Sequence, residues 1–287
     1  MKRIITIFII IFSLILSCGN NNEADNNEAD NNEADNNEAD NNEADNNEVD
    51  NKENSFENLE IAKNTENIKN KVVYVGIDAG FPPFGYLDNG HIAGFDYDMM
   101  NEIARLSDME VEFTYMPFAK LLSALQTKKI DVIIAAMTVT EERKQFVNFS
   151  TPYYVSSQVI LVHKYDNSIT NFGNLGGKNV GVIMATTGDA IITQNGIVNT
   201  KKFDTIAEAV LSLKENNIDA ILFDKEPCKN FAKNNADIRL IENDSIRQNY
   251  AIAVRKDENS LLENINNGIS IIMTNGTYEK LIDKNFK

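Results

Sequence analysis

From Val72 onward, short β-branched runs alternate with apolar residues at helical spacing, and this alternation narrows the possible folds more than any other feature. Val72 to Ile77 has strand length and is closed by Asp78-Ala79-Gly80. Pro82-Pro83 and Asp88-Asn89-Gly90 mark a loop and a tight turn. Phe95, Met99, Ile103 and Leu106 then recur at helical spacing, with Asp96 available as a cap near the start. Val111, Phe113 and Tyr115 alternate as in a strand, and Leu121, Leu122 and Leu125 predict a second helix. Val132 to Ala136 is an apolar run of buried-strand length. The pattern restarts with strand-like runs at Val159 to Val162, Val180 to Ile183 and Ile218 to Phe223. Helical faces follow at Ile206, Val210 and Leu213, at Leu261, Ile265, Ile269 and Ile272, and at Tyr278 to Phe286. Such alternation predicts an α/β protein with both sheet faces covered. Its length fits two α/β lobes of roughly a hundred residues each. A ligand is then expected in the crevice at the carboxyl ends of the strands.

The remainder of the chain cannot join that core. Residues 21–50 are NNEAD repeated five times followed by NNEVD, with 12 acids and no bases. Asn and Asp form helices poorly, the repeat has no apolar face, and its like charges repel. Residues 18–70 therefore read as an extended acidic tether, with some helical spacing from Phe56 to Ile68. The chain's net charge of −16 is concentrated there, and residues 71–287 carry 22 bases and 27 acids. Without a basic face, nucleic acid is not an expected partner.

Lys2 and Arg3 precede an apolar run, Ile4 to Leu16, that is shorter than a membrane span and has secretory proportions. The run closes with Ile15-Leu16-Ser17-Cys18, which resembles the bacterial lipoprotein signal. That resemblance implies removal of residues 1–17 and acylation of Cys18. Cys228 would then be the sole free cysteine and is expected in the core.

Six segments in order carry a wider resemblance. They are VGIDAGFPPFGYLDNGHIAGFDYDMMNEIA, LLSALQTKKIDVIIAAMTVTEERKQFVNFSTPYY, KNVGVIMATTGDAI, NIDAILFDKEP, YAIAVRKDE and NGTYEKLIDKNF. Over essentially all of residues 71–287 the chain resembles the amino-acid-binding proteins that feed bacterial ABC transporters. The resemblance implies a type 2 periplasmic-binding fold of two α/β lobes joined by two crossing hinge strands. The first lobe would be residues 71–153 plus 253–287 and the second 159–247, with hinges near 154–158 and 248–252.

A free α-amino acid brings a carboxylate and an ammonium, and each needs a partner when water is removed. Arg143 matches the family's carboxylate-binding arginine, a role suited to a planar, permanently charged fork. Thr138 matches the family's hydroxyl donor that precedes this arginine by five positions, and Ala136 a position whose backbone faces the ligand. Thr140 is read as a helix cap. From the second lobe, Thr187 matches another carboxylate donor and Asp224 the ammonium-binding carboxylate. Ala185 stands where the family often has glycine. Phe81 and Phe118 match positions that flank the ligand side chain, and Ile183 one that is polar or basic in some relatives. Met137 and Met184 suit either ligand contact or core packing. Asp78 matches a position that meets polar or cationic side chains, and it equally suits a turn before Gly80.

The expected function is capture of a free amino acid, with polar or cationic side chains favoured, for a permease in the cytoplasmic membrane. The protein is expected to be a monomer outside that membrane, held by its N-terminal lipid, in a periplasm or on the outer face of the cell. No cofactor, metal or catalytic residue is expected. His91 and His163 lie far apart, and no phosphate loop or nucleophile elbow is present. The alternatives are a cyclic-acid dehydratase on the same fold, with Asp78 and Glu226 as its extra carboxylates, and a ligand carrier for chemosensory signalling.

Overall fold

Four valine and isoleucine side chains in six residues favour an extended backbone at Val72–Ile77 (β1), the strand from which the first sheet grows. The computed structural model describes residues 72–196, 198–242 and 246–287. The apolar run Ile4 to Leu16, read above as a signal, Cys18, the repeats and the Phe56 to Ile68 stretch lie outside the described residues. After β1, Gly80–Phe81 (β2), Gly85–Asp88 (β3) and His91–Ala93 (β4) make a small antiparallel sheet. Asn89 and Gly90 take φ of 49° and 82° in the turn between β3 and β4, the left-handed pair that a two-residue hairpin requires.

Phe95–Leu106 (α1) follows, then Glu110–Tyr115 (β5), Phe118–Gln126 (α2), Val132–Ile133 (β6), Glu141–Lys144 (α3) and Asn148–Phe149 (β7). The second half contains Tyr154–His163 (β8), Asn179–Ile183 (β9), Thr187–Asn195 (α4), Asn199–Phe203 (β10) and Ile206–Lys214 (α5). Ala220–Asp224 (β11), Lys225–Asn234 (α6), Ile238–Ile241 (β12) and Arg247–Tyr250 (β13) come next. The chain closes with Ala253–Val254 (β14), Asn259–Thr274 (α7) and Thr277–Phe286 (α8).

The first sheet has the order β5-β1-β6-β14-β7, with β1 parallel to β5 and β6 and β14 antiparallel to its neighbours. Helices α1 and α7 cover one face through Met99, Ile103, Ile265 and Ile269, and α2 covers the other through Leu121 and Leu125. The second sheet has the order β10-β9-β11-β8-β12. Strand period is visible in β8: Val159 and Leu161 pack with α5 on one face, while Ile160 and Val162 pack with Ile192 on the other. These are two α/β lobes. They are joined where the first part of β8 pairs antiparallel with β13, Tyr154 opposite Tyr250 and Ser157 opposite Arg247. Phe84 fills the corner against these crossing strands, with its ring 5.0 Å from Tyr154 and 5.3 Å from Tyr250.

Two local expectations are corrected. Asp96 does not cap α1, whose cap position is Gly94. Its carboxylate is fully buried and accepts from the Ala136 N–H at 2.7 Å and the Tyr153 hydroxyl at 2.8 Å. The run Val132 to Ala136 is not a full strand, because the ladder ends at Ile133 and Ala136 turns left-handed at φ 46°. The chain leaves the sheet there because Asp96 holds it in the new direction. Cys228 is buried in the second-lobe core.

Candidate functional site

Thr140 precedes α3 and accepts the Arg143 N–H at 3.2 Å, so a capped turn sets where Arg143 begins. The guanidinium then folds back. Its Nη1 donates to the Thr138 carbonyl at 2.7 Å, and its Nη2 donates to the Ala185 carbonyl of the other lobe at 2.9 Å. The Phe118 ring lies beneath it, 5.2 Å from Cζ to the centroid. Burial lowers the Arg143 pKa and nearby Asp224 works against that shift. A guanidinium stays charged in such a setting and keeps N–H donors for an anion.

Opposite it, Asp224 ends β11 and occupies the cap position of α6 without a capping bond. Its carboxylate turns into the interior and receives the Gln158 side-chain N–H from the paired strand. Burial pushes its pKa up to about 7, the Tyr250 hydroxyl lowers it, and Glu226 raises it further. Glu226 is held by the Ser156 hydroxyl on the hinge strand.

Between these charges sit two threonines. Thr187 is the first residue of α4, a helix capped by Thr186. Gly188 follows because a Cβ there would lie 2.9 Å from the Leu222 carbonyl and 3.0 Å from Gln158 Oε1. The Thr187 hydroxyl accepts from Gln248 Nε2 at 2.7 Å, and the Thr138 hydroxyl donates to Gln248 Oε1 at 2.7 Å. Ala185 is left-handed at φ 63°, an uncommon geometry for a residue with a Cβ.

One cleft brings together Asp78, Phe81, Phe118, Ala136, Thr138, Arg143, Ile183, Thr187 and Asp224. With the solvent at its mouth it encloses about 450 Å³ of empty space. Phe81 from the first lobe meets Phe223 of the second edge-on at 5.2 Å. Asp78 makes the turn that its position suggested and also stands at the cleft. Its Oδ1 accepts the Gly80 N–H at 2.8 Å, and its side chain also borders the cleft, where burial raises its pKa. The Ala136 N–H is taken by Asp96, so a backbone contact from Ala136 to a ligand falls to its carbonyl.

The two methionines are not brought to the cleft wall; Met137 packs in the first-lobe core with Leu121 and Leu125. His91 lies on the β4 hairpin and His163 at the end of β8, and neither borders the cleft.

Sequence reasoning missed several participants. Gln158 and Gln248 are fully or almost fully buried: Gln248 bonds Thr138 of the first lobe and Thr187 of the second, and Gln158 bonds Asp224 and Thr187 within the second. Asp204 borders the cleft ahead of α5, in a turn where Glu208 accepts the N–H groups of both Asp204 and Thr205 at 3.2 Å. That capping box, Thr205 to Glu208, is legible in sequence and could have pointed to a helix start aimed at the cleft.

Comparison with known proteins follows the same lines. The family model for bacterial extracellular solute-binding proteins, family 3, matches residues 73–287. The ABC transporter arginine-binding protein 1 of Escherichia coli (strain K12) is 33% identical over 218 residues, 74% of this chain and 89% of that protein. A probable histidine-binding protein of Campylobacter jejuni is 32% identical over 234 residues, covering 79% and 91%. Among solved structures, an ancestral arginine-binding protein bound to arginine superposes with a TM-score of 0.72 at 40% identity, covering 75% of this chain and 98% of that one.

Proposed function

Because the chain belongs to the bacterial extracellular solute-binding proteins of family 3, we propose that it captures a free amino acid with a cationic side chain, arginine foremost, and delivers it to an ABC importer. The observation that carries this reading is the placement of Arg143 and Asp224, from different lobes and of opposite charge, in one cleft. The ligand carboxylate would meet Arg143 and Thr187, and its ammonium Asp224. A zwitterion satisfies one cation and one anion. The cleft wall holds one guanidinium against three carboxylates, those of Asp78, Asp204 and Asp224, so a further positive charge on the ligand is favoured. Phe81 and Phe118 would flank its alkyl stem. The relatives named arginine- and histidine-binding support the same charge.

We assign residues 71–153 plus 253–287 to the first lobe, 159–247 to the second, and hinges near 154–158 and 248–252. Membership of the two sheets supports this division. Closure about the hinges would bury the ligand, with the ligand stabilising the closed state by touching both lobes. Binding occupies both charged groups without a bond being made or broken, and the relatives carry the names of binding proteins, so we read the chain as a carrier and not an enzyme. It would work as a monomer outside the cytoplasmic membrane, tethered through acylated Cys18 and residues 19–70.

A thermal-shift screen of residues 71–287 against the twenty amino acids tests the reading. A ligand at 100 times its Kd adds about 2.7 kcal/mol of stability. The expected responders are arginine and then lysine or histidine; a screen in which no amino acid shifts the midpoint overturns it.

A further inference from the structure

Two glutamines face the cleft network from the crossing strands. Gln158 lies on β8, and Gln248 on β13 stands opposite Ser156, so both project from the same face. Both amides reach Thr187: Gln248 Nε2 at 2.7 Å and Gln158 Nε2 at 3.4 Å from its Oγ1. An amide NH₂ can only donate, and a hydroxyl has two acceptor lone pairs and one hydrogen. With both lone pairs turned to the glutamines, the Thr187 hydrogen is directed elsewhere, and Thr187 borders the cleft. Thr138 is in the reverse position. Its Oγ1 lies 2.7 Å from Gln248 Oε1, which can only accept, so the Thr138 hydrogen is consumed there.

We infer that Gln248 is a positioning residue that fixes the polarity of the two cleft hydroxyls, making Thr187 the donor to the ligand carboxylate and removing Thr138 from that role. A carboxylate offers only acceptors, so only a hydroxyl with a free hydrogen serves it. Gln248 also ties the two lobes, because Thr138 belongs to the first sheet's loop and Thr187 to the helix that follows β9. It is 2% exposed, so water does not compete for its amide. The inference rests on the amino-acid-binding reading and adds a residue to it.

The test is calorimetry with L-arginine on the chain beginning at Gly19, for wild type, Gln248→Glu, Thr187→Val, Thr138→Val and the double variant Gln248→Glu with Thr187→Val. A carboxylate at position 248 cannot donate, so the Thr187 hydroxyl turns to it and is lost to the ligand. Gln248→Glu and Thr187→Val are each expected to weaken binding about tenfold, and the double variant no more than Thr187→Val alone. Thr138→Val should cost less than Thr187→Val. Losses that multiply in the double variant mean that the new charge acts without Thr187, and they overturn the inference. So does wild-type affinity in Gln248→Glu, or a larger loss in Thr138→Val, which would mean that the amide is turned over. Should Gln248→Glu not fold, Gln248→Met replaces it, with a loss of about threefold that vanishes on the Thr187→Val background. Persistence of that loss on the same background also overturns it. A wild type that binds no amino acid sinks the functional reading itself, which is a separate outcome.

Discussion

Arg143 and Ala185 meet across the cleft: the guanidinium Nη2 of one donates to the carbonyl oxygen of the other at 2.9 Å. The bond joins the two lobes and is made by a backbone group whose residue is left-handed, at φ 63°. An arginine from a capped turn of one lobe is thus locked to the entry of a helix in the other. Its remaining N–H donors are held in an orientation already set, which would reduce the ordering cost of binding an anion.

The strain at Ala185 should be removable. A left-handed alanine costs about 1 kcal/mol relative to glycine. Glycine's extra entropy in the unfolded chain offsets about half or more of this, so Ala185→Gly is expected to raise the stability of the ligand-free chain by at most about 0.5 kcal/mol. Denaturant unfolding checks this, and a lower midpoint would count against it.

Arg143 and Asp224 should behave as one recognition unit. Removing either leaves a ligand charge buried and unpaired, at a typical cost of about 2–5 kcal/mol. Binding should weaken by roughly 30- to several-thousand-fold. Arg143→Lys should not restore it, because an ammonium cannot reproduce the fork. A ligand lacking its α-amino group should lose affinity for wild type, and much of that loss should disappear in Asp224→Ala. Calorimetry on this cycle decides the matter; additive losses would exclude a contact between Asp224 and the ammonium.

Binding and stability should respond to pH in opposite directions. Asp224 is held at about 7 without ligand, chiefly by burial, yet it must be ionised to meet an ammonium. Affinity should fall as pH drops below about 7, approaching tenfold per unit. Asp96 is likewise pushed up to about 7 by burial, against the pull of Tyr153 and the Ala136 N–H. A carboxyl whose folded value exceeds its unfolded value of 3.8 stabilises the fold when protonated. That contribution is complete below about pH 4 and is lost as pH rises through about 7. The ligand-free chain should accordingly be more stable at pH 5 than at pH 8 on account of these groups, and Asp96→Asn should flatten the profile. An unchanged slope in that variant would show that Asp96 does not set it.

Asp78 and Asp204 should read the charge of the ligand side chain. Asp78→Asn is expected to weaken arginine by roughly 1–3 kcal/mol through loss of a charge-assisted bond, and to affect citrulline, its neutral analogue, much less. Asp204 is exposed, so Asp204→Asn should produce a smaller arginine-specific loss that fades with salt. Titrations of both ligands at low and high salt test the pair. Equal losses for arginine and citrulline would make the two carboxylates structural.

The N-terminal reading has its own check. Cys18→Ala should move the protein from the membrane pellet to the soluble fraction, and residues 71–287 alone should bind as the full chain does. Retention in the pellet counts against acylation, and a tenfold loss of affinity would mean that residues 18–70 support the fold.

The elements were legible where the signal was local. Period two in Val111 and Phe113 reports a half-buried strand face and helical spacing in Phe95, Met99 and Ile103 a buried helix face, and the described elements follow both, although Tyr115 at the end of β5 is exposed. Thr140 and Asn89-Gly90 were legible for the same reason, since a cap and a tight turn depend on residues within a few positions. The run to Ala136 misled because hydrophobicity predicts burial but not backbone direction. Asp96, forty positions away in sequence, holds Ala136 out of the strand.

By itself the sequence determined the α/β alternation in two halves, the concentration of acids in residues 21–50, and the charged residues available for recognition. Tertiary structure alone decided which of those residues meet. Asp96 became a buried bracket and not a cap, and Met137 went to the core while Asp204 joined the cleft. Gln248, a polar residue with no motif around it, became a link between the lobes through Thr138 and Thr187, and Gln158 tied Asp224 to Thr187 within the second lobe. The physical reason is that periodicity encodes which face of an element is buried, whereas a hydrogen bond's direction and a carboxyl's ionisation depend on atoms supplied by distant parts of the chain. Those partners are juxtaposed only when β8 and β13 cross and the two lobes close on one cleft.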